Sequence, residues 1–192
     1  MQSTINMFSV KVDKFRLTNI DNDMLVNYAI DIKNDTNFML RNAFEESWQS
    51  DRKIHELNKL KSFFSIVEDK INQVYHASYS KNYKVKISSG WCSVNNPYDL
   101  TIPHNHKESF LSAVYYPQAN DEELWFLNPI PQMLCSIKME HVEEYDEYNS
   151  DYWTEIVNTG DLLIFNSMLQ HFIKPSEKQR ISFAVDSVIE NN

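Results

Sequence analysis

The chain changes its hydrophobic period near Ser80. Before it, Ile54, Leu57, Leu60, Phe64, Val67, Ile71 and Val74 recur every three or four residues, the apolar stripe of an amphipathic helix. Ser50, followed by Asp51, is its predicted N-cap. A shorter helix is predicted from Asn22-Asp23 to about Ile30. Ahead of it, residues 8–19 read as a strand and its exit, because Phe8-Ser9-Val10-Lys11-Val12 alternates apolar with polar. After Ser80, Tyr83, Val85 and Ile87 alternate with Lys84, Lys86 and Ser88. Short apolar or aromatic runs follow at Phe110–Tyr116, Leu124–Leu127, Leu162–Phe165 and Ile181–Val185. Turn-forming residues separate them, as in Asn95-Asn96-Pro97-Tyr98-Asp99, Asn128-Pro129, Thr159-Gly160-Asp161 and Lys174-Pro175-Ser176. Helices followed by many short strands predict a mainly β fold with N-terminal α structure, a sandwich or barrel buttressed by helices.

The 192 residues suit one well-buried core better than two domains. One domain over 1–192 is expected, with 1–80 as helical support and 81–192 as the β core. No repeat or low-complexity linker interrupts it.

Composition removes several function classes. The formal net charge of -9 would repel a phosphate backbone, so nucleic acid is not an expected partner. Two glycines in all, Gly90 and Gly160, exclude a Gly-rich phosphate loop and a dinucleotide fingerprint. The first fifteen residues lack the pattern of a secretory signal, and no stretch is long and apolar enough to cross a bilayer as a helix. Cys92 and Cys135 show no metal-type spacing, which fits a reducing cytoplasm, that of a host if the chain is viral.

Three of the six histidines carry the candidate chemistry. His55, His76 and His141 are expected to serve packing or surface roles. In an extended segment, residues two apart share a face about 6.5–7 Å apart, so His104 and His106 can aim at one point. A divalent iron accepts imidazole and carboxylate ligands and needs open positions for co-substrate and oxygen. His171, just beyond the run Leu162–Phe165, is the natural third ligand. Taken alone, a His-x-His pair is as often a pair of strand-surface histidines as a metal site. Arg180 adds weight: it begins the strand Arg180–Val185, shares a face with Ser182, and offers a planar fork suited to a carboxylate.

The ordered set Trp91, Pro103-His104-Asn105-His106, Ser109–Tyr116, Leu124–Pro129, Gly160–Ser167, Gln170-His171 and Arg180–Phe183 resembles the small 2-oxoglutarate/Fe(II) oxygenases of bacteria and phages, a prolyl-hydroxylase-like group. The likeness covers residues 85–186. It implies a double-stranded β-helix, the jelly roll or cupin-like fold, whose mouth holds Fe(II). It also implies 2-oxoglutarate and O2 as co-substrates, with succinate and CO2 released as an unactivated C–H bond is hydroxylated. Arg180 and Ser182 match the position that receives the far carboxylate of 2-oxoglutarate, and Tyr115 or Tyr116 would add a hydroxyl.

The commonest pattern in such enzymes is His-x-Asp or His-x-Glu with a distal His. Here His106 stands where the carboxylate would be if His104 is the first ligand, while His106-Lys107-Glu108 offers an ordinary His-x-Glu register with Glu108 in place of His104. The resemblance favours His104, His106 and His171. Replacing a carboxylate by imidazole leaves the site one unit more positive. Two alternatives follow: a three-histidine cupin-type dioxygenase needing no 2-oxoglutarate, and a non-catalytic jelly-roll module binding a sugar or a protein. Arg180 with Ser182 favours the 2-oxoglutarate enzyme. The primary substrate, a protein side chain or a small molecule, is open at this stage. Glu143, Glu144, Asp146, Glu147 and Asp151, interleaved with Tyr145, Tyr148 and Tyr152, are expected to form a solvated strand connection or a rim attracting a basic substrate.

Overall fold

Strict alternation along the central strands sends every second side chain into one of two cores, one on each face of a single sheet. The computed structural model describes residues 9–35, 47–130, 142–146 and 149–190. Cys135, His141, Glu147 and Tyr148 lie outside the described residues, as does Phe8 at the start of the predicted first strand.

The large antiparallel sheet has the order β1 (Val12–Arg16), β8 (Asp161–Asn166), β5 (Leu111–Gln118), β10 (Arg180–Glu190), β3 (Lys84–Asn95) and β2 (Trp48–Gln49). A smaller antiparallel sheet orders β4 (Thr101–His104), β9 (His171–Ile173), β6 (Glu122–Leu127) and β7 (Tyr152–Val157). On β5, Leu111, Ala113 and Tyr115 face the helices, while Val114 and Tyr116 face the small sheet. Leu162 and Ile164 alternate with Leu163 and Phe165 on β8 in the same way, and on β10 Ile181, Phe183 and Val185 leave Ala184 pointing inward. Leu124, Phe126 and Val157 of the small sheet close the inner core. Each large apolar side chain so buried contributes roughly 1.5–3 kcal/mol.

Helix α1 (Asn22–Asn34) starts where the Asp21 carboxylate accepts from the Met24 amide at 2.9 Å, and it buries Leu25, Tyr28 and Ala29. Helix α2 (Lys61–Ser78) buries Phe63, Phe64, Val67, Ile71, Val74 and Tyr75 against the outer face of the large sheet. Phe63 sits at the centre of this layer, 5.3 Å from the Tyr115 ring and 5.4 Å from that of Phe183.

Some elements differ from expectation, and α1 runs past Ile30 to Asn34. Ser50 does not cap the long helix: its amide donates to Cys92 O at 2.9 Å and its hydroxyl accepts from the Cys92 amide at 3.0 Å, tying it to β3. Ile54–Glu56 and Asn58–Leu60 are 3-10 turns, and α2 begins only at Lys61. The first strand covers Val12–Arg16, where β8 supplies its ladder. β7 was not expected as a strand, since Tyr152, Trp153 and Ile156 are exposed; pairing with β6 along its whole length defines it.

Gly90 lets the segment before α2 lie close to β3. A Cβ there would stand 2.9 Å from His55 Cβ and 3.1 Å from the Phe64 ring. The nearer neighbour is a backbone-fixed carbon, so relief requires the sheet and turn to separate. Gly90→Ala is therefore expected to lower stability by about 1–3 kcal/mol, read as a fall in the urea midpoint at constant slope.

Candidate active site

Strand pairing alone brings two of the three candidate histidines together: His171 on β9 lies opposite His104 at the end of β4, with Phe126 of β6 on its other side. His106 is beyond the end of β4, and its amide donates to Ser167 O at 2.8 Å. That bond hangs the segment from the turn after β8 and turns the ring back toward the other two. The ring centroids are 4.5 Å (His104 to His171), 5.1 Å (His106 to His171) and 5.2 Å (His104 to His106) apart. One ligand atom from each lies within 4.8 Å of the others. Among the described residues this is the single group of three His, Cys, Asp or Glu side chains close enough to share an ion. Glu108 is exposed, has a positive φ of 68°, and is outside the group.

Each imidazole is oriented by an oxygen. His104 Nδ1 is 2.8 Å from Ile102 O, His171 Nδ1 is 3.0 Å from Leu169 O, and His106 Nδ1 bonds to an Asp186 carboxylate oxygen. Carbonyl and carboxylate oxygens only accept, so all three Nδ1 atoms carry a proton, which leaves Nε2 as the atom each ring can offer to a metal. His106 Nε2 is buried without a hydrogen-bond partner. Burial, reinforced by the neighbouring His104, pushes the pKa of His171 down to about 3, so it is neutral at any ordinary pH. Trp91 stacks on His106 at 5.5 Å, and the Phe165 edge packs on His171 at 4.8 Å. Three imidazoles with one ligand atom each within 4.8 Å of the others suit a borderline cation such as Fe(II).

A second cluster lies further along the same inner face of the large sheet. Arg180, Ser182, Ala184 and Asp186 take alternate positions on β10, opposite Asn95, Ser93, Trp91 and Ser89 of β3. Arg180 is 2% exposed, with Nη1 3.5 Å from Glu123 O and 4.0 Å from the buried Glu122 carboxylate, while its Nε has no partner. The Tyr116 hydroxyl and both amide atoms of Asn95 are likewise buried and unpartnered. Burial raises the pKa of Tyr116 to about 12, against the pull of Arg180, so the phenol stays a proton donor. A buried guanidinium, a phenol and an amide with unmet hydrogen bonds form a cluster suited to a polar anion.

Tyr115 does not belong to it. Its ring packs on Phe63 and its hydroxyl donates to Asn22 Oδ1 at 2.6 Å, on the helix side of the sheet. Of the two candidate tyrosines only Tyr116 faces the interior. The sequence alone does not mark Asn95 or Ser112; for Asp186 its two-residue spacing from Ala184, Ser182 and Arg180 is the signal it carries.

The family model described as "Putative 2OG-Fe(II) oxygenase" matches residues 89–186, just over half of the 192 residues. This chain belongs to the 2OG-Fe(II) oxygenases. The oxygenase uses Fe(II) and 2-oxoglutarate, and the converging imidazoles fit the metal. Its fold is similar to a Pseudomonas putida prolyl-4-hydroxylase at 10% identity and TM-score 0.65, covering 95% of each chain. HygX from Streptomyces hygroscopicus, solved with nickel and 2-oxoglutarate bound, is 10% identical at TM-score 0.62, covering 93% of this chain and 82% of that one. The viral collagen prolyl hydroxylase of Paramecium Bursaria Chlorella virus-1 is 12% identical at TM-score 0.57, covering 92% and 94%. These likenesses identify the two-sheet architecture of the oxygenase as a jelly roll. No curated protein matches its sequence. Among the described residues no helix is long and apolar enough to cross a membrane.

Proposed function

We propose that this oxygenase is a hydroxylase that holds Fe(II) with His104, His106 and His171 and receives the far carboxylate of 2-oxoglutarate on Arg180 and Tyr116, with Ser182 beside them. The observation that carries this reading is the orientation of the three imidazoles, each with Nδ1 on an acceptor and Nε2 left as the lone-pair atom. When bound, the iron would supply a site for activating O2, the oxidant, and 2-oxoglutarate would supply two electrons as it is decarboxylated, so that one oxygen atom enters the C–H bond and the other enters succinate, with CO2 released. The chain's own contribution is to fix the ligand tautomers, keep His171 uncharged, and bury the co-substrate's charge beside Arg180. Trp91, Phe165 and Phe126 line the inner core next to the histidines and exclude water there. The unpartnered Arg180 Nε, Tyr116 hydroxyl and Asn95 amide favour this reading over a three-histidine dioxygenase that works without a keto acid.

The substrate we infer is a cationic one, a basic protein segment or an amine-bearing small molecule. Leu127 donates to Gln170 O at 2.9 Å, next to His171, and pairs with Tyr152, the first residue of β7. The acidic segment therefore enters the small sheet beside the histidines, and Glu143, Glu144, Tyr145 and Asp146 are exposed on it. Carboxylates there attract a positive substrate over about a Debye length, 8–10 Å in ordinary salt.

The test measures succinate formed from 2-oxoglutarate with Fe(II), alone and with panels of basic peptides and of aminated small molecules, with mass spectrometry for the added oxygen. Coupled turnover with a basic panel member is expected, and raised salt or joint neutralisation of Glu143, Glu144 and Asp146 should slow it while uncoupled succinate formation persists. Absence of succinate under all conditions would sink the hydroxylase. A substrate indifferent to both salt and the triple variant would remove the acidic rim from the proposal.

A further inference from the structure

The histidine triad lacks the carboxylate found in the commonest ligand set, yet a buried carboxylate stands one hydrogen bond away from it. Asp186 is 5% exposed, on the inner face of β10, and accepts from His106 Nδ1. The Ser112 hydroxyl, 2.8 Å from the same oxygen and 2.9 Å from Ser167 Oγ, holds it in place. Ser89 Oγ is 3.4 Å from the second oxygen, and Arg52 Nη1 is 3.7 Å from it. Arg52 itself is half-exposed and stacked 4.4 Å over the Trp91 ring, so it neutralises the carboxylate only partly. The backbone around His106 is fixed independently by its bond to Ser167 O. Asp186 is thus not required to place the loop; what it controls is the ring.

We propose that Asp186 is a positioning residue for metal binding: it locks His106 in the Nδ1–H tautomer, aims Nε2 at the other two imidazoles, and lends the site the negative charge that a three-histidine set lacks. The inference rests on the reading of His106 as a metal ligand. A carboxylate behind a ligating imidazole raises the basicity of the coordinating nitrogen, and loss of such a partner typically weakens metal affinity about 10–100-fold. The Nδ1 atoms of His104 and His171 lie instead on backbone carbonyls. Asparagine at this position would keep the shape. Its amide could donate to Nδ1, however, and so stabilise the wrong tautomer, the effect by which an amide in place of a carboxylate disables other carboxylate–histidine pairs.

The probe is Co(II), titrated into metal-free protein and followed by calorimetry and by its visible absorption. Asp186→Asn is expected to weaken Co(II) binding about 10–100-fold and to alter the absorption band, with the thermal midpoint of the metal-free protein little changed. Asp186→Glu should restore part of the affinity. In the metal-free wild type, nitrogen-resolved NMR should show the His106 proton on Nδ1, a measurement that needs no variant to fold. His106→Ala separates the two levels of the inference. If His106→Ala binds Co(II) as the wild type does, the ligand assignment itself fails. If His106→Ala loses the metal but Asp186→Asn binds it with wild-type affinity and spectrum, or if wild-type His106 is protonated on Nε2, the role of Asp186 is overturned.

Discussion

Alanine at His171 is expected to leave the oxygenase unable to retain Fe(II) at micromolar concentration and without measurable succinate formation. His171 is the buried centre of the triad, flanked by His104 on one strand and by Phe126 on another. No neighbouring side chain is placed to substitute, because the group of potential ligands holds these three histidines alone among the described residues. Changes one shell further out cost roughly 10–100-fold in metal affinity, so removal of a ligand should cost more than about 100-fold. The fold should survive, since β9 keeps its backbone pairing to β4 and β6. Circular dichroism with a thermal melt checks that point. His104→Ala and His106→Ala should behave alike, and Glu108→Ala, at an exposed residue outside the group, should bind iron as the wild type does. Loss of iron in Glu108→Ala with retention in His104→Ala would instead support the His106/Glu108 register.

How far the site was legible depends on what each residue's neighbours are. The spacing of His104 and His106 pointed both rings one way, although only His104 is in a strand; the same result arises because Ser167 captures the amide of His106. Arg180 and Ser182 could be assigned a common face because β10 pairs in register with β3 from residue 180 to 186. Tyr115 and Tyr116 could not be told apart. β5 is buried on both faces, so apolar residues fall on both and the one small polar residue within the run, Ser112, is too weak a mark to set the phase. Asp186 is illegible for the opposite reason: one acid in an apolar strand looks like the strand's exit, whereas its partners His106 and Ser112 are 80 and 74 positions away. The misplaced start of α2 has a similar origin. The buried stripe is helical from Phe64 on, but the Ser50 amide donates to Cys92 O and the Arg52 carbonyl accepts from the Gly90 amide, so the chain is tied to β3 and turns twice before the helix can begin.

Replacing Arg180 by alanine is expected to raise the 2-oxoglutarate requirement by at least tenfold while leaving Co(II) or Fe(II) affinity unchanged. The guanidinium is buried, with Nε unpartnered and only long contacts, 3.5 Å to Glu123 O and 4.0 Å to Glu122, from Nη1. Burial pulls its pKa below the usual arginine value, with Tyr116 and Glu122 opposing; an arginine starts so high that it remains charged. Hydrogen bonds to charged groups contribute about 1.5–3 kcal/mol net, which corresponds to roughly 10–150-fold in affinity. The metal should be unaffected because Arg180 and Asp186 are at opposite ends of the inward row on β10, and only Asp186 touches a histidine of the triad. Truncation also strips Glu122 of its cation, leaving that carboxylate with the Ser176 hydroxyl at 2.8 Å. Arg180→Ala paired with Glu122→Gln removes this complication and should show the same 2-oxoglutarate defect with better stability. Tyr116→Phe, which deletes one neutral donor, should cost less, about 0.5–1.5 kcal/mol. Saturation curves for 2-oxoglutarate, taken at fixed metal, decide the matter: a double variant that saturates at the wild-type concentration would remove Arg180 from the co-substrate site.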